Sequence, residues 1–216
     1  MTTENTTYKT IVLASNNAGK LREFHRLFAD KPLTIISQNQ FSVDDAEETG
    51  LSFIENAIIK ARHACQKTQH AAIADDSGLA IDYLQGAPGI YSARYAGTHG
   101  DDSANNQKVL HELQGVPTEQ RTARFICALA FMRHANDPTP IVCQASWEGV
   151  IAEQEHGGNG FGYDPLFWLP DHQCSSAELT KEKKNLISHR AQALDAMLLA
   201  FAQQGIFASS HAPNDH

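Results

Sequence analysis

Two adjacent carboxylates stand at the end of an apolar run, where Asp75 and Asp76 follow residues 71–74 and precede Ser77 and Gly78. Like charges this close repel each other, and burying both is costly unless a cation compensates them. A divalent metal that arrives with a phosphorylated ligand is the simplest such cation, because Mg²⁺ needs only one or two protein carboxylates. The alternative is an ordinary turn in which both acids are solvated.

A second candidate is the segment that follows the first predicted strand, residues 10–14, and opens a helix. The N-terminus of a helix offers free N–H groups and partial positive charge, which suit a phosphate. The segment departs from the P-loop pattern, because Ala14 replaces the first glycine and Leu21 replaces the magnesium-binding Ser or Thr. A capped helix start with a surface lysine is an equally open interpretation. The residues concerned are Ser15, Asn16, Asn17, Ala18, Gly19 and Lys20.

An acidic run, residues 44–50, precedes the clearest amphipathic helix of the chain. Runs of charge are usually solvated loops, yet this run can also lend one carboxylate to a metal site. On the helix that follows, Lys60 lies one turn beyond Asn56, and its role is equally open from the residues alone.

A glycine-rich loop, residues 157–165, is the fourth candidate. Glycine lets a backbone approach a ligand closely. Phe161 or Tyr163 can face a planar base, and Asp164 can accept a hydrogen bond from a ring N–H. Proline follows where a helix would have to begin, so the loop is not a dinucleotide fingerprint. A plain sharp turn is the alternative.

Basic residues are concentrated near the C-terminus of an otherwise acidic chain, namely Lys181, Lys183, Lys184, His189 and Arg190. His189 and Arg190 follow the predicted N-cap Ser188, and cations in a first helical turn oppose the helix dipole at a cost of a few tenths to about 1 kcal/mol. Placement against a local rule suggests a function. The guanidinium of Arg190 can donate to carbonyl or phosphate oxygens in a fixed fork. A solvated lysine face is the alternative for Lys181 and Lys183.

The periodicity of apolar residues predicts the strands and helices that must position these residues. It indicates an α/β fold with a mixed sheet. Residues 71–74 and 79–84 are expected to be strands that flank a turn at a sheet end, where ligand sites of α/β proteins lie. Residues 157–170 are expected to form a shaped loop. The other expected strands are 10–14, 33–36, 122–132 and 141–151, and the expected helices are 21–28, 53–64, 105–114 and the segment after Ser188.

The chain has 216 residues, a formal net charge of −8 and 19% charged residues. The acidic balance argues against an electrostatic interaction with nucleic acid. The sequence has no apolar run near the ~20 residues of a membrane span, and no C-x-x-C pair among its four cysteines. Residues 1–7 are polar and lack the basic-then-apolar pattern of a signal peptide, so we expect none. We expect a cytoplasmic protein with a flexible segment 1–9, one two-lobed domain over 10–204 and a mobile tail 205–216.

Taken together, these segments resemble the inosine/xanthosine triphosphate pyrophosphatase family, and the resemblance covers about residues 10–201. Each motif is weak alone, but six motifs in the family's order are specific. Gln173-Cys174 stand where the family often carries a Gly-Lys/Arg pair, and the tail after Gly205 has no counterpart. The motifs are Ser15-x-Asn17-x-x-Lys20, Phe53-Ile54-Glu55-Asn56-Ala57 with Lys60, Ala74 to Leu79, Gly86 to Tyr95, Gly160 to Pro165 and Ser188-His189-Arg190.

The resemblance implies Mg²⁺-dependent hydrolysis of ITP, dITP and XTP to the monophosphate and pyrophosphate. It implies that Asp76 is the proton acceptor and metal ligand and that Ser77 binds substrate. It also implies a second metal carboxylate from the acidic run, for which we choose Glu48, with Glu47 as the open alternative. It also implies a long mixed sheet flanked by helices, two lobes with a central active-site cleft, and a homodimer. The triphosphate loop would be Ser15 to Lys20, and the base pocket Phe161, Gly162, Tyr163, Asp164, Lys184, His189 and Arg190.

The chemistry of the bases agrees with these assignments. Hypoxanthine and xanthine carry a 6-oxo group, to which Arg190 or His189 can donate, while Asp164 accepts from a ring N–H or holds the pocket. Adenine carries an amino group instead, which leaves such donors unpaired. Lys20 and Lys60 can neutralise phosphate oxygens. The residues leave open how GTP is excluded. Two alternative functions also remain open: a phosphatase that releases inorganic phosphate, and a non-catalytic nucleotide sensor.

Overall fold

The computed structural model of the chain describes residues 8, 10–29 and 33–206. Within these residues the strands are β1 Thr10–Leu13, β2 Thr34–Ser37, β3 Ala72–Ile81, β4 Thr122–Met132, β5 Ile141–Ile151, β6 Phe167–Leu169 and β7 Cys174–Ser175. They form one sheet with the order β2-β1-β3-β4-β5-β6-β7. β1 runs parallel to β2 and β3, whereas the pairs from β3 to β7 are antiparallel.

The helices of the described residues flank this sheet, and short polar side chains begin several of them. Asn17, Ser52 and Ser188 each accept backbone N–H groups as N-caps, which satisfies donors that have no partner inside the helix. The predicted α/β class, with a mixed sheet flanked by helices, is confirmed. The helices are α1 Ala18–Leu27, α2 Phe53–Thr68, α3 Asp102–Glu112, α4 Lys181–Ile187 and α5 His189–Gln203.

Side chains of the central strands alternate between two faces of the sheet. Ile11 and Leu13 belong to a core cluster that includes Phe24 of α1 and Phe201 of α5, so α1 and α5 cover one face. Val12 points to the other face, where α2 packs. Small side chains dominate that second interface and allow α2 to lie close to the sheet; they are Ala57, Ala61, Ala64, Ala72, Ala74, Ala128 and Ala130.

A third cluster surrounds the far half of β3. Leu79 and Ile81 pack there with Val109 of α3, Phe125 of β4 and Trp147 of β5. The first half of strand β3 therefore packs in the first two clusters, and its second half packs in the third. Asp75 and Asp76 lie between these two halves.

The turn expected around Asp75 and Asp76 is wrong, because β3 continues through both. Asp75 pairs with Leu129 and Asp76 with Ala128 in an unbroken antiparallel ladder. Gly78 signals close backbone approach rather than a turn, since an added Cβ would lie 2.4 Å from the Ser92 hydroxyl. Acidic residues are unfavourable inside a strand unless the fold supplies cations, and those cations come from segments distant in the chain.

Smaller differences from the expected elements have simple causes. Helix α4 occupies the lysine-rich segment that looked like a solvated face, with Thr180 as its N-cap. Strand β6 lies inside the expected loop 157–170, and its three residues are too few to show a period. Helix α3 begins three residues earlier than expected, at Asp102.

No helix within the described residues is both long and apolar enough to cross a membrane. The predicted flexible segment 1–9 and mobile tail 205–216 fall almost wholly outside the described residues. The assignment of residues 10–204 to one two-lobed domain stays a prediction.

Candidate functional site

A cleft of about 800 Å³ opens beside the middle of β3. The start of α1, the acidic loop, the middle of α2, the loop after β5 and the start of α5 all contribute to its walls. The residues predicted for the triphosphate loop, the metal site and the base pocket line this cleft, except Gly19. The side chain of Ala18 lies outside the described part of the structure. The lysines Lys181 and Lys183 do not line the cleft. The tertiary structure thus collects residues that lie up to 175 positions apart, from Ser15 to Arg190.

Asp75 is fully buried and lies between two cations. Its carboxylate forms ion pairs with Lys20 and with the Arg190 Nε at 2.8 Å, and it accepts a hydrogen bond from the Ser77 hydroxyl at 2.8 Å. Burial raises the pKa of Asp75, but the charges of Arg190 and Lys20 outweigh burial and hold that pKa well below its usual range. Asp75 is therefore a charged buried group that joins β3 to α1 and α5.

Arg190 is the centre of this network, although it is only 4% exposed. Beyond Asp75, its Nη1 donates to Glu23 at 2.5 Å and its Nη2 donates to Ser77 at 3.1 Å. Burial lowers the pKa of Arg190, and the carboxylates of Asp75 and Glu23 more than reverse that effect. All three guanidinium nitrogens are engaged with protein here. Donation from Arg190 to a base stays a prediction.

Asp76 points to the opposite face of β3, toward α2. Lys60 donates to Asp76 at 2.7 Å and to Glu48 at 2.8 Å, so one ammonium group bridges the two carboxylates. Burial raises the pKa of Asp76 despite the nearby Lys60. The second oxygen of Asp76, Oδ2, is buried and has no hydrogen-bond partner among the described residues. Asp76 thus keeps one carboxylate oxygen available.

Asp164 stabilises the loop after β5 through hydrogen bonds. Asp164 is 3% exposed and accepts hydrogen bonds from the Phe161 backbone at 2.9 Å, from Lys184 at 2.5 Å and from Ser176 at 2.9 Å. Gly160 is required beside it, because its φ is +87° and a Cβ there would lie 2.0 Å from the Asp164 Oδ2. Of the two roles expected for Asp164, this geometry supports holding the pocket.

The two aromatic residues of the loop differ in exposure. Phe161 is 42% exposed, and the Lys184 ammonium lies 5.6 Å from its ring centroid. Tyr163 is buried, and its hydroxyl donates to the Ser92 carbonyl at 2.7 Å. Phe161 is therefore the ring with a face available to a planar ligand, while Tyr163 anchors the loop.

His189 and Arg190 lie in the first turn of α5, as the N-cap Ser188 indicates. The His189 ring stacks on Phe125, with centroids 4.9 Å apart and an interplanar angle of 15°. Burial, followed by the charge of Arg190, holds the pKa of His189 well below its usual range, so the ring is neutral. Its Nδ1 is buried without a hydrogen-bond partner in the described part of the chain.

Several residues in or beside the cleft carry no signal strong enough to indicate their role from the sequence. Glu23 is not in the cleft wall but holds Arg190, and its position one turn after Lys20 on α1 is the signal that could have indicated it. Arg94 lies 3.6 Å from Glu48 and belongs to the Gly86 to Tyr95 motif. Asp102 was missed because it precedes the expected start of its helix. His99 and Gly100 also line the cleft.

The fold and cleft together define an α/β protein of mixed sheet topology, with a buried ion-pair network at the floor of a cleft and an aromatic loop at its rim. The chain belongs to the Ham1 family, whose sequence model matches residues 11–200. This membership confirms the resemblance that the six motifs carry.

Relatives and solved structures agree with the family assignment. The dITP/XTP pyrophosphatase of Vibrio cholerae serotype O1 is 56% identical over 196 residues, or 91% of this chain and 98% of that protein. The dITP/XTP pyrophosphatase of Salmonella paratyphi A is 57% identical over 188 residues, or 87% of this chain and 95% of that protein. A HAM1 protein from Coxiella burnetii matches with a TM-score of 0.85 and 49% identity, covering 90% of this chain and 98% of that one.

Proposed function

We propose that the chain hydrolyses noncanonical purine nucleoside triphosphates, ITP, dITP and XTP, to the monophosphate and pyrophosphate. The observation that carries this proposal is the free oxygen of Asp76, buried beside Lys60 and Glu48 in a cleft whose rim presents Phe161. Relatives named dITP/XTP pyrophosphatase, at 56–57% identity, support the same activity.

Mg²⁺ is the proposed cofactor, and the residues present fit it. Asp76 and Glu48 would hold the ion, because a hard dication prefers carboxylate oxygens. The Asp76 Oδ2 accepts no hydrogen bond from the described residues and is therefore available as a ligand. No group of three or more His, Cys, Asp or Glu side chains capable of holding a metal occurs in residues 8, 10–29 and 33–206. Such a sparse protein shell suits an ion whose other ligands are substrate phosphates and water. When bound, Mg²⁺ supplies charge neutralisation and a lowered pKa of bound water.

The protein groups supply positioning and charge for the cleavage of the bond between the α- and β-phosphates. Lys20, at the start of α1, and Lys60, on α2, bring positive charge to the triphosphate side of the cleft. Asp76 accepts a proton from the attacking water, whose oxygen forms the new bond to phosphorus as the bridging P–O bond breaks. Ser15, Asn16, Asn17 and Ser77 complete that side of the cleft.

The base is received at the other end of the cleft. Phe161 offers its ring face, and the neutral His189 lies on the aromatic layer of Phe125. Arg190 and Lys184 are the cationic donors near a 6-oxo group, and each is held by a carboxylate in this structure. A buried donor that finds a 6-amino group instead of a 6-oxo group is left unpaired, which is the proposed reason for rejecting adenine.

A hydrolysis panel tests the proposal directly. The full chain is assayed with Mg²⁺ on ITP, XTP, dITP, GTP and ATP, and both products are read. We expect monophosphate and pyrophosphate in equal amounts, with ATP slower than ITP by about a hundredfold or more. Inorganic phosphate as the first product would indicate a phosphatase instead. Binding of ITP without turnover would indicate a sensor, and equal rates on ATP and ITP would exclude the proposed selectivity.

We also propose that the chain acts as a cytoplasmic homodimer that does not bind nucleic acid. The net charge of −8 supports the last point, since binding to a phosphate backbone needs a basic surface.

A further inference from the structure

Helix α3 reaches the rim of the cleft but carries none of the proposed catalytic or metal-binding residues. Its first residue, Asp102, accepts a hydrogen bond from the Gly162 N–H at 2.6 Å. One turn later Asn106 donates to the Gly162 carbonyl at 3.2 Å and to Glu155 at 2.9 Å. Both polar groups of the Gly162 backbone are therefore held by one face of α3.

The position of Asp102 needs a reason beyond helix formation. The residue lines the cleft, where another negative charge opposes an anionic ligand. An acidic residue in the first turn stabilises a helix, but the neighbouring Asp101 already caps α3 by accepting the Ala104 N–H at 3.0 Å. Asp102 instead directs its carboxylate to a neighbouring loop.

Gly162 is the point at which that loop turns. Its φ is +61°, in the left-handed region, and it separates the exposed Phe161 from the buried Tyr163. The Asp164 carboxylate already fixes the N–H of Phe161 from the other side. With α3 holding Gly162 as well, the peptide that follows the Phe161 ring has little freedom to rotate.

We propose that Asp102 and Asn106 are positioning residues that fix the direction in which Phe161 faces the cleft, and so set recognition of the base. The inference deepens the proposed function and rests on it for the identity of the ligand. The hydrogen-bonded clamp itself is a property of the free protein and can be measured without any substrate.

Three variants separate this role from others. Asp102→Ala removes the acceptor, whereas Asp102→Asn keeps an amide oxygen that can accept from Gly162. Asp101→Ala is the matched control, because it weakens the same helix end without touching the loop. Thermal unfolding of each variant records the loss of helix stability separately from the effect on the loop.

Hydrogen exchange of the Gly162 amide, followed by NMR, tests the clamp. We expect exchange about tenfold faster in Asp102→Ala, and near wild-type exchange in Asp102→Asn and Asp101→Ala. Unchanged exchange in Asp102→Ala would overturn the inference, and so would equal acceleration in Asp101→Ala. This result stands even if the hydrolysis panel refutes the proposed function.

Kinetics on ITP then test the role in recognition. In Asp102→Ala we expect KM to rise about tenfold with kcat within about twofold, and the preference for ITP over ATP to fall. Asp102→Asn should restore both values, and Asp101→Ala should leave both unchanged. Failure of the Asn variant to restore KM would show that the charge of Asp102 acts on the ligand itself and would overturn the positioning role.

Discussion

At the scale of single residues, adjacent positions on β3 have opposite environments. Side chains alternate along a strand, so Asp75 faces α1 and α5 while Asp76 faces α2. Asp75 has its oxygens occupied by Lys20, Arg190 and Ser77. Asp76 keeps one oxygen free. The first carboxylate holds the ion-pair network together, and the second is the proposed catalytic group.

Asp76→Asn should abolish hydrolysis while leaving the fold intact. The amide is isosteric, but it cannot take a proton from water and is a poor magnesium ligand, so we expect kcat to fall about a thousandfold or more. ITP turnover and circular dichroism measure the two effects. Asp82→Asn, at an exposed acid just beyond β3, is the control and should retain activity. Comparable activity in both variants would contradict the role of Asp76.

Asp75→Asn should destabilise the protein by about 3–5 kcal/mol, because it leaves the buried charge of Arg190 without its main partner. Glu23→Gln removes the partly exposed partner of the same guanidinium and should cost less. Urea unfolding at pH 7 measures both free energies. A loss at Asp75 no larger than that at Glu23 would contradict the assigned network.

His189 should make stability depend on pH. Its pKa is lowered in the folded protein. As pH falls through about 6.5, the unfolded chain binds a proton at this residue while the folded chain does not. Stability therefore falls as pH falls. Between pH 7.5 and 5.5 the loss is on the order of 1 kcal/mol for one histidine with an ordinary unfolded pKa. His189→Phe keeps the stack on Phe125 and should lose that part of the decline, measured by urea unfolding at both pH values. The same pH dependence in variant and wild type would contradict a neutral His189.

At the scale of elements, close packing of α2 on the sheet sets the position of Lys60. Ala61 is fully buried next to Lys60 and faces the alanine-rich surface of β3 and β4. A helix that lay farther from the sheet would carry the Lys60 ammonium away from Asp76. Similarly, α3 and α5 each bring the first turn of a helix to the cleft.

Ala61→Leu should therefore overpack this interface and destabilise the protein by about 1–3 kcal/mol. Gln66→Leu, on the exposed face of the same helix, is the control and should change stability by no more than about 0.5 kcal/mol. Thermal unfolding compares the two. Equal small effects would show that α2 has room to move and would contradict the close packing.

At the scale of the whole molecule, one cleft gathers cations from distant segments of an acidic chain. The chain carries a net charge of −8, yet Lys20, Lys60, Lys184 and Arg190 all line one cleft. Seven carboxylate residues, among them Glu48, Asp76 and Asp102, line the same cleft, so it is not basic as a whole. The acidic balance of the chain disfavours binding of a polyanion.

The proposed homodimer is also a property at this scale. Sedimentation equilibrium should give about twice the chain mass of 23.7 kDa at micromolar concentration. A mass that stays at one chain across the concentration range would contradict the dimer.

Much of the fold could be predicted from local pattern. The strands at residues 122–132 and 141–151 and the N-cap at Ser188 depend on side chains within one element, so their signals are local. Helix α4 and strand β6 were missed because seven and three residues carry too little periodicity.

By itself, the sequence determined the α/β class and singled out many of the residues that line the cleft, because apolar periodicity and the order of the motifs are local properties of the chain. It gave no role to Arg94, His99 or Asp102, which also line the cleft. Only the tertiary structure decided that Asp75 and Asp76 lie inside a continuous strand. The charges that make this possible, on Lys20, Lys60 and Arg190, come from three helices. The secondary-structure propensity of the strand residues contains no information about these cations, because the cost of burying a carboxylate depends on which cations the fold brings within ion-pair distance.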